Sequence, residues 1–145
     1  MRIAACLLPL AMLTHPIPVA AQDREQARFE GCTSAPRITC VVDGDTFWYR
    51  GSKIRIADIN TPETHQPGCA AERALGQRAS RRLTQLLNAG AFTLLRDGRD
   101  EDRYRRKLRV VARGGRSLGE VLVSEGLAER WTGKRRDWCA ALPAS

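Results

Sequence analysis

A small α+β domain, five short strands with two helices, is the fold that this amino-acid sequence predicts. Three observations predict it. The chain has 145 residues, room for one domain and little more. Between Arg37 and Ile59, β-prone runs are punctuated by the turn signals Asp43-Gly44 and Arg50-Gly51-Ser52. From Ala71 the apolar period lengthens to that of a helix, and strand-like runs then return.

The first 21 residues read differently from the rest. Met1-Arg2 is a positive start, Ile3 to Leu13 is an almost unbroken apolar run, and Val19-Ala20-Ala21 offers small residues for cleavage. This order is a secretory signal peptide over residues 1–21, and its apolar run is too short to span a bilayer. Cys6 sits near the start of that run, whereas a lipid-attachment cysteine follows it, so no membrane anchor is expected after cleavage. The mature protein is expected to be secreted or periplasmic, and a monomer. Residues 22–36 are polar and without period, and read as a flexible lead-in to a domain spanning 37–145.

Within the domain, Ile38, Cys40 and Val42 alternate with Thr39 and Val41 in a first strand that ends at Asp43-Gly44. Thr46-Phe47-Trp48-Tyr49 forms a second, and Lys53 to Ile59 a third that stops at Asn60-Thr61-Pro62. Ala71, Leu75, Ala79, Leu83, Leu86 and Leu87 share one helical face, with Gly90 able to close the helix. Strands at Ala91–Leu95 and Lys107–Ala112 flank a charged loop. Ser117-Leu118-Gly119-Glu120 is a capping box that opens a second helix, ending near Gly126. This order fits a five-stranded β-barrel of the OB type.

The formal net charge is +8, and cleavage of residues 1–21 removes Arg2 and no acid, leaving +7. Such a charge favours a polyanionic partner. Cleavage also leaves His65 as the only histidine, which excludes intramolecular histidine-pair and two-histidine zinc hydrolase sites. Four cysteines remain, Cys32, Cys40, Cys69 and Cys139. They allow three disulfide pairings, with a zinc site including His65 as the rival, although no C-x-x-C is present. The expected pairs are Cys69–Cys139, clipping a long loop, and Cys32–Cys40.

Phosphodiester hydrolysis needs positive charge on the non-bridging oxygens, a base for water, and help for the leaving oxygen. Without a histidine cluster the base is a carboxylate, and hard oxygen ligands suit Ca²⁺ or Mg²⁺. Asp43-Gly44-Asp45-Thr46, Arg55 and Thr61-Pro62-Glu63 each read as turn or strand residues when taken singly. Together, Val42 to Thr46, Arg55 through Ile59-Asn60-Thr61-Pro62-Glu63, Asp102 to Leu108, and Gly126-Leu127-Ala128 resemble the staphylococcal nuclease family in order and spacing.

The resemblance implies an OB-fold nuclease that uses Ca²⁺, cleaves single-stranded or breathing DNA and RNA, and leaves 3′-phosphates. It makes Asp45, Asn60 and the Thr61 carbonyl the metal ligands, Glu63 the general base, and Arg55 and Arg106 the guanidinium clamps on the scissile phosphate. Arg103, Tyr104 and Leu108 match positions lining the nucleotide pocket. Asn60 stands where the family usually has aspartate, and Asp58 is the candidate to restore the lost charge. Arg105 stands at a common glycine position, and the chain ends too early for the family prototype's long third helix. The competing function is a non-catalytic OB module that binds single strands through a basic groove. Trp48, Tyr49 and Trp131 read as core, and the acids and bases between Arg96 and Lys107, apart from Arg106, as solvated surface.

Overall fold

Alternating β-branched and aromatic residues on either side of Asp43-Gly44 fold as an antiparallel hairpin, β1 (Cys40–Asp43) and β2 (Thr46–Tyr49). The computed structural model to which these strands belong describes residues 22–34 and 36–141, so the signal peptide read over residues 1–21 lies outside it. A second hairpin adds β3 (Ser52–Ile56), with Thr46 opposite Arg55 and Trp48 opposite Lys53. β3 then pairs in parallel with β6 (Lys107–Arg113), setting Arg55 beside Leu108. β5 (Thr93–Leu95) and the short β7 (Arg116–Ser117) also pair with β6. The strand order is β1-β2-β3-β6-β5, with β7 as a branch on β6.

The third expected strand is broken. It stops at Ile56, turns at Ala57-Asp58, and resumes as β4 (Ile59–Asn60), which leaves the main sheet to pair with β8 (Glu129–Arg130). The break has a local cause. Arg55 folds back so that one Nη donates to the carbonyl oxygens of Ile56 and Ile59, a geometry incompatible with straight extended chain.

α1 (Ala70–Asn88) buries Ala79, Leu83, Leu86 and Leu87 as its period predicts, in one core cluster with Phe47, Ile56 and Val111 from the sheet and with Phe92. Its first turn carries Glu72, and Cys69 is the N-cap. α2 (Leu118–Ser124) opens with the expected Ser117 cap, whose hydroxyl accepts the Glu120 N–H at 3.2 Å. A single turn, α3 (Trp138–Ala141), ends the described chain where no long third helix was expected. Among the described residues no helix is long and apolar enough to cross a membrane.

Two expectations are corrected here. The lead-in is not loose. Phe29 is fully buried against Phe47, Tyr49 and Phe92, and the Asn88 side chain bonds both its N–H and its carbonyl at 2.8 Å. Glu25 bridges to Phe92 beside β5, and Gly31 bridges to Val41 in β1. The polar lead-in thus spans the gap between the two ends of the strand path, which do not pair directly. One aromatic residue without a periodic neighbour gave no signal of this. The first strand also begins at Cys40 rather than Arg37. The chain before it is therefore free to turn back, and Cys32 and Cys40 come within 4.9 Å between Cα atoms and are disulfide-bonded.

The second disulfide joins Cys69 to Cys139 across 70 residues, tying the N-terminus of α1 to α3. The four cysteines among the described residues are thereby joined in two pairs, which removes the zinc alternative. Cross-linking a loop of this length restricts the unfolded chain. Replacing both Cys69 and Cys139 by serine is expected to lower unfolding free energy by ~2–4 kcal/mol in urea titrations.

Candidate active site

Four segments meet at one end of the sheet: the β1–β2 turn, the end of β3, the 60–63 loop and the loop before β6. Close packing brings the first and third together. A Cβ on Gly44 would lie 2.6 Å from the Ala79 Cβ and 2.9 Å from Thr61 Cγ2, so the turn approaches α1 only because it has no side chain there. Gly76 plays the same part from the helix. A Cβ on it would meet the Pro62 carbonyl oxygen at 2.6 Å and the Glu63 carbonyl oxygen at 3.1 Å. Two glycines therefore fix where Asp45 and Glu63 stand.

Asp45 is buried and its carboxylate is an organising acceptor. Oδ2 takes the Thr61 N–H at 2.9 Å and lies 3.1 Å from an Arg55 Nη. Oδ1 takes the Thr46 hydroxyl at 3.0 Å, which leaves it one further lone pair. Asp43 lies beside it and accepts the Asp45 N–H at 3.2 Å. Burial, and then the negative charge of Asp45, push Asp43 up to about 7. Sequence reading gave Asp43 no role. Its signal was the repeated carboxylate of Asp43-Gly44-Asp45, read there as turn chemistry.

Asn60 is buried in β4, and its amide donates to Glu129 Oε1 at 3.2 Å across the β4–β8 pair. With the nitrogen so committed, Oδ1 is the end available to a cation. Asp58 does not serve this site. Its Oδ2 accepts the Ser117 hydroxyl at 2.6 Å at the start of α2, because the turn that breaks β3 swings it away. A carboxylate there complements the helix terminus. The expectation that Asp58 restores the charge missing at Asn60 is corrected accordingly.

The donors gathered here, the Asp43 and Asp45 carboxylates, the Asn60 amide oxygen and the Thr61 backbone, are all hard oxygens. They fit Ca²⁺ or Mg²⁺ and offer nothing to a soft metal. Among the described residues, no three His, Cys, Asp or Glu side chains converge as a closed cage. A cation here would rely on amide and backbone oxygens, and on water or substrate, as well as on carboxylates.

Arg55 and Arg106 line one cavity of about 700 Å³ with Tyr104, Leu108, Trp131 and Arg135. Arg55 is held by Asp45 and the Ile56 and Ile59 carbonyls. Arg106 is held by Asp102, whose Oδ2 accepts its Nε at 2.7 Å and whose Oδ1 accepts its N–H at 3.0 Å. Burial alone would raise Asp102, but the hydrogen bonds from Arg106 outweigh it and hold the carboxyl below its usual range. Asp100 is pulled down to about 2 by Lys107 and Arg109, which lie 2.8 and 2.7 Å from it. These acids are therefore staples that fold the loop onto β6, not merely solvated surface. The signal was the offset of four between Asp102 and Arg106.

Tyr104 is 63% exposed, with the Arg103 and Arg106 guanidiniums 4.8 and 5.5 Å from its ring centre. Arg103 also lines the cavity. Arg105 has φ 62°, the left-handed conformation that glycine adopts freely and other residues hold at a cost of about 1–2 kcal/mol. This explains why glycine suits the position; the arginine side chain is exposed, so it meets no packed neighbour, and the backbone cost remains. Tyr49 is core as expected, but Trp131 is 43% exposed on the cavity wall, a further correction.

Glu63 is positioned from behind by a residue that sequence reading missed. Glu72, buried in the first turn of α1, accepts the Glu63 N–H at 3.1 Å and the Gly68 N–H at 2.7 Å. The Glu63 carboxylate itself is one-third exposed and pairs with Arg135. The structure thus brings Asp45, Thr61 and Arg55 into one hydrogen-bonded neighbourhood, with Asn60 next in the chain but bonded to Glu129, and sets Arg106, Arg103, Tyr104 and Leu108 around the adjoining cavity. Glu63 is linked to that cavity through Arg135.

Residues 53–140 match the profile of a family described as Staphylococcal nuclease homologue. Two proteins of Bacillus subtilis (strain 168) are similar to this chain. It is 39% identical to Endonuclease YncB over 92 residues, covering 60% of this chain and 43% of that protein. It is 40% identical to SPbeta prophage-derived endonuclease YokF over 92 residues, covering 60% of this chain and 31% of that protein. The aligned region spans less than half the length of either relative. With the profile covering more than half of its residues, the chain belongs to the staphylococcal nuclease homologue family.

Proposed function

We propose that this protein is an exported, Ca²⁺-dependent nuclease that hydrolyses phosphodiester bonds in single-stranded or breathing DNA and RNA and leaves 3′-phosphates. It acts as a monomer, with its sheet closed into an OB-type barrel through the lead-in. The observation that carries the reading is the shared cavity. Two arginines, each preset by its own carboxylate, face one space beside a cluster of oxygen donors. A non-catalytic binder needs positive charge but has no use for two oriented guanidiniums and a nearby carboxylate together.

In this reading Arg55 and Arg106 grip the non-bridging oxygens of one phosphate through paired hydrogen bonds, which lysine does not make. Asp45 and Asp102 hold these side chains in place before substrate arrives, so little reorganisation remains for the reaction itself. Glu63 takes the proton of the attacking water. Asp45, Asn60 and Thr61 would hold Ca²⁺, with Asp43 adding charge behind them, and the ion supplies Lewis-acid charge stabilisation at the phosphate. Tyr104, Arg103 and Leu108 form the wall for the neighbouring nucleotide. Incubation with single-stranded DNA and RNA, followed by end-group mapping, tests this reading. The expected products carry 3′-phosphates and 5′-hydroxyls. Intact substrate bound to the protein would instead identify a binding module.

Asn60→Asp is expected to tighten Ca²⁺ binding roughly tenfold, since a carboxylate offsets the ion's lost hydration better than an amide. The same change places a carboxylate against Glu129 and removes a donor, so the calcium-free protein should lose about 1–3 kcal/mol. Asp58→Ala should leave calcium affinity unchanged, because Asp58 faces α2. Calorimetric titration with Ca²⁺ and calcium-free urea unfolding check all three.

A further inference from the structure

Arg135 belongs to a strap that the catalytic reading does not use. Residues 132–137 run exposed between two fixed points. At one end the β4–β8 pair and the Trp131 N–H, donating to the Asp58 carbonyl at 2.9 Å, hold the chain down. At the other, Trp138 is buried and Cys139 is bonded to Cys69. The strap carries Lys134, Arg135 and Arg136. Its position is fixed while its side chains stay in water.

Arg135 is the strap residue that faces the site. It lines the cavity of Arg55 and Arg106, and its Nη1 pairs with Glu63 Oε1. A guanidinium does not lose its proton in this environment. The pair therefore occupies one oxygen of Glu63, and that oxygen cannot accept a proton from water while the guanidinium sits on it. For Glu63 to act as base, Arg135 has to leave.

The pair is poised to open. Its side chains are 61% and 33% exposed, and ion pairs so accessible to solvent contribute only ~0–1 kcal/mol. A phosphate offers the same planar guanidinium two oxygens for paired hydrogen bonds, of comparable or greater strength. Arg55 and Arg106 already have carboxylate partners that hold them. Among the described residues Arg135 pairs with Glu63 alone, so of these three arginines it is the one whose partner a second phosphate displaces.

We propose that Arg135 is a substrate-binding arginine, parked on Glu63 in the free protein, that transfers to a phosphate flanking the scissile one and thereby releases the base. This rests on the nuclease reading above and deepens it. The strap makes activity respond to a polynucleotide, whose next phosphate recruits Arg135, in preference to a lone phosphodiester that leaves Glu63 capped.

The test compares wild type, Arg135→Ala and Arg135→Lys on a short single-stranded oligothymidylate and on the dinucleoside monophosphate TpT, which has no flanking phosphate. Oligothymidylate binding is also measured in chelator, without turnover, as a function of salt. Losing one phosphate contact on a single strand should make the log–log salt slope of Arg135→Ala shallower by about 0.7. Arg135→Lys should keep the wild-type slope. Turnover of TpT should rise a few-fold in Arg135→Ala while kcat/KM for the oligonucleotide falls about tenfold, with unchanged melting temperature. An unchanged salt slope, or a TpT turnover that falls along with that of the oligonucleotide, would overturn the proposal. If wild type cleaves neither substrate, the nuclease reading fails, while the slope in chelator still decides whether Arg135 contacts phosphate.

Discussion

Glu63→Gln is expected to reduce turnover of single-stranded DNA by roughly 10²-fold or more while leaving substrate affinity close to that of wild type. The substitution keeps the side chain's shape and removes its ability to accept a proton. The main-chain contact from Glu63 to Glu72, and the fit of the loop against Gly76, do not depend on the side chain. The fold should therefore survive, and the loss should fall on kcat. Single-turnover cleavage, with binding measured separately by fluorescence anisotropy, separates the two terms. Turnover within a few-fold of wild type would remove Glu63 from the role of base.

Arg106→Ala is the second large effect expected, a fall of roughly 10²–10³-fold in kcat/KM. In the proposed mechanism Arg106 meets the phosphate where charge grows in the transition state, so its loss should weigh more on kcat than on KM. Asp102→Asn provides the control. It leaves Arg106 present but replaces its charged partner at 2.7 Å with a neutral one. Asp102→Asn should lose about tenfold, between wild type and Arg106→Ala, because misorientation is a smaller loss than removal. If it matched Arg106→Ala, most of that residue's contribution would lie in being oriented.

The hairpins, both main helices and the Ser117 cap of α2 were legible in the sequence. Each is encoded locally: Asp43-Gly44 by turn chemistry, α1 by its apolar period, α2 by Ser117 and Glu120. The features that were not legible are those decided by where a particular side chain or strand finds its partner. The break in β3 depends on where the Arg55 guanidinium finds carbonyls. β8 exists because β4 lies beside it, and Phe29 is core because Asn88 pins the backbone around it.

The site divides in the same way. Asp45, Arg55 and Arg106 were legible because they sit within spaced motifs. Asp102 and Glu72 were not, because they act through other residues. An acid four residues from an arginine, or in the first turn of a helix, reads as ordinary surface until its partner is seen. Arg135 was hidden for another reason. Nothing in Lys134-Arg135-Arg136 distinguishes the middle residue until the Cys69–Cys139 bond places the strap over Glu63.

The most direct test of the central claim is cleavage of an end-labelled single-stranded oligonucleotide by the purified protein, with Ca²⁺ present or removed by chelator. Strand scission with calcium, abolished by chelator and restored by adding the ion back, is the predicted result. Intact substrate under all three conditions, with the protein folded and both disulfides formed, would contradict it.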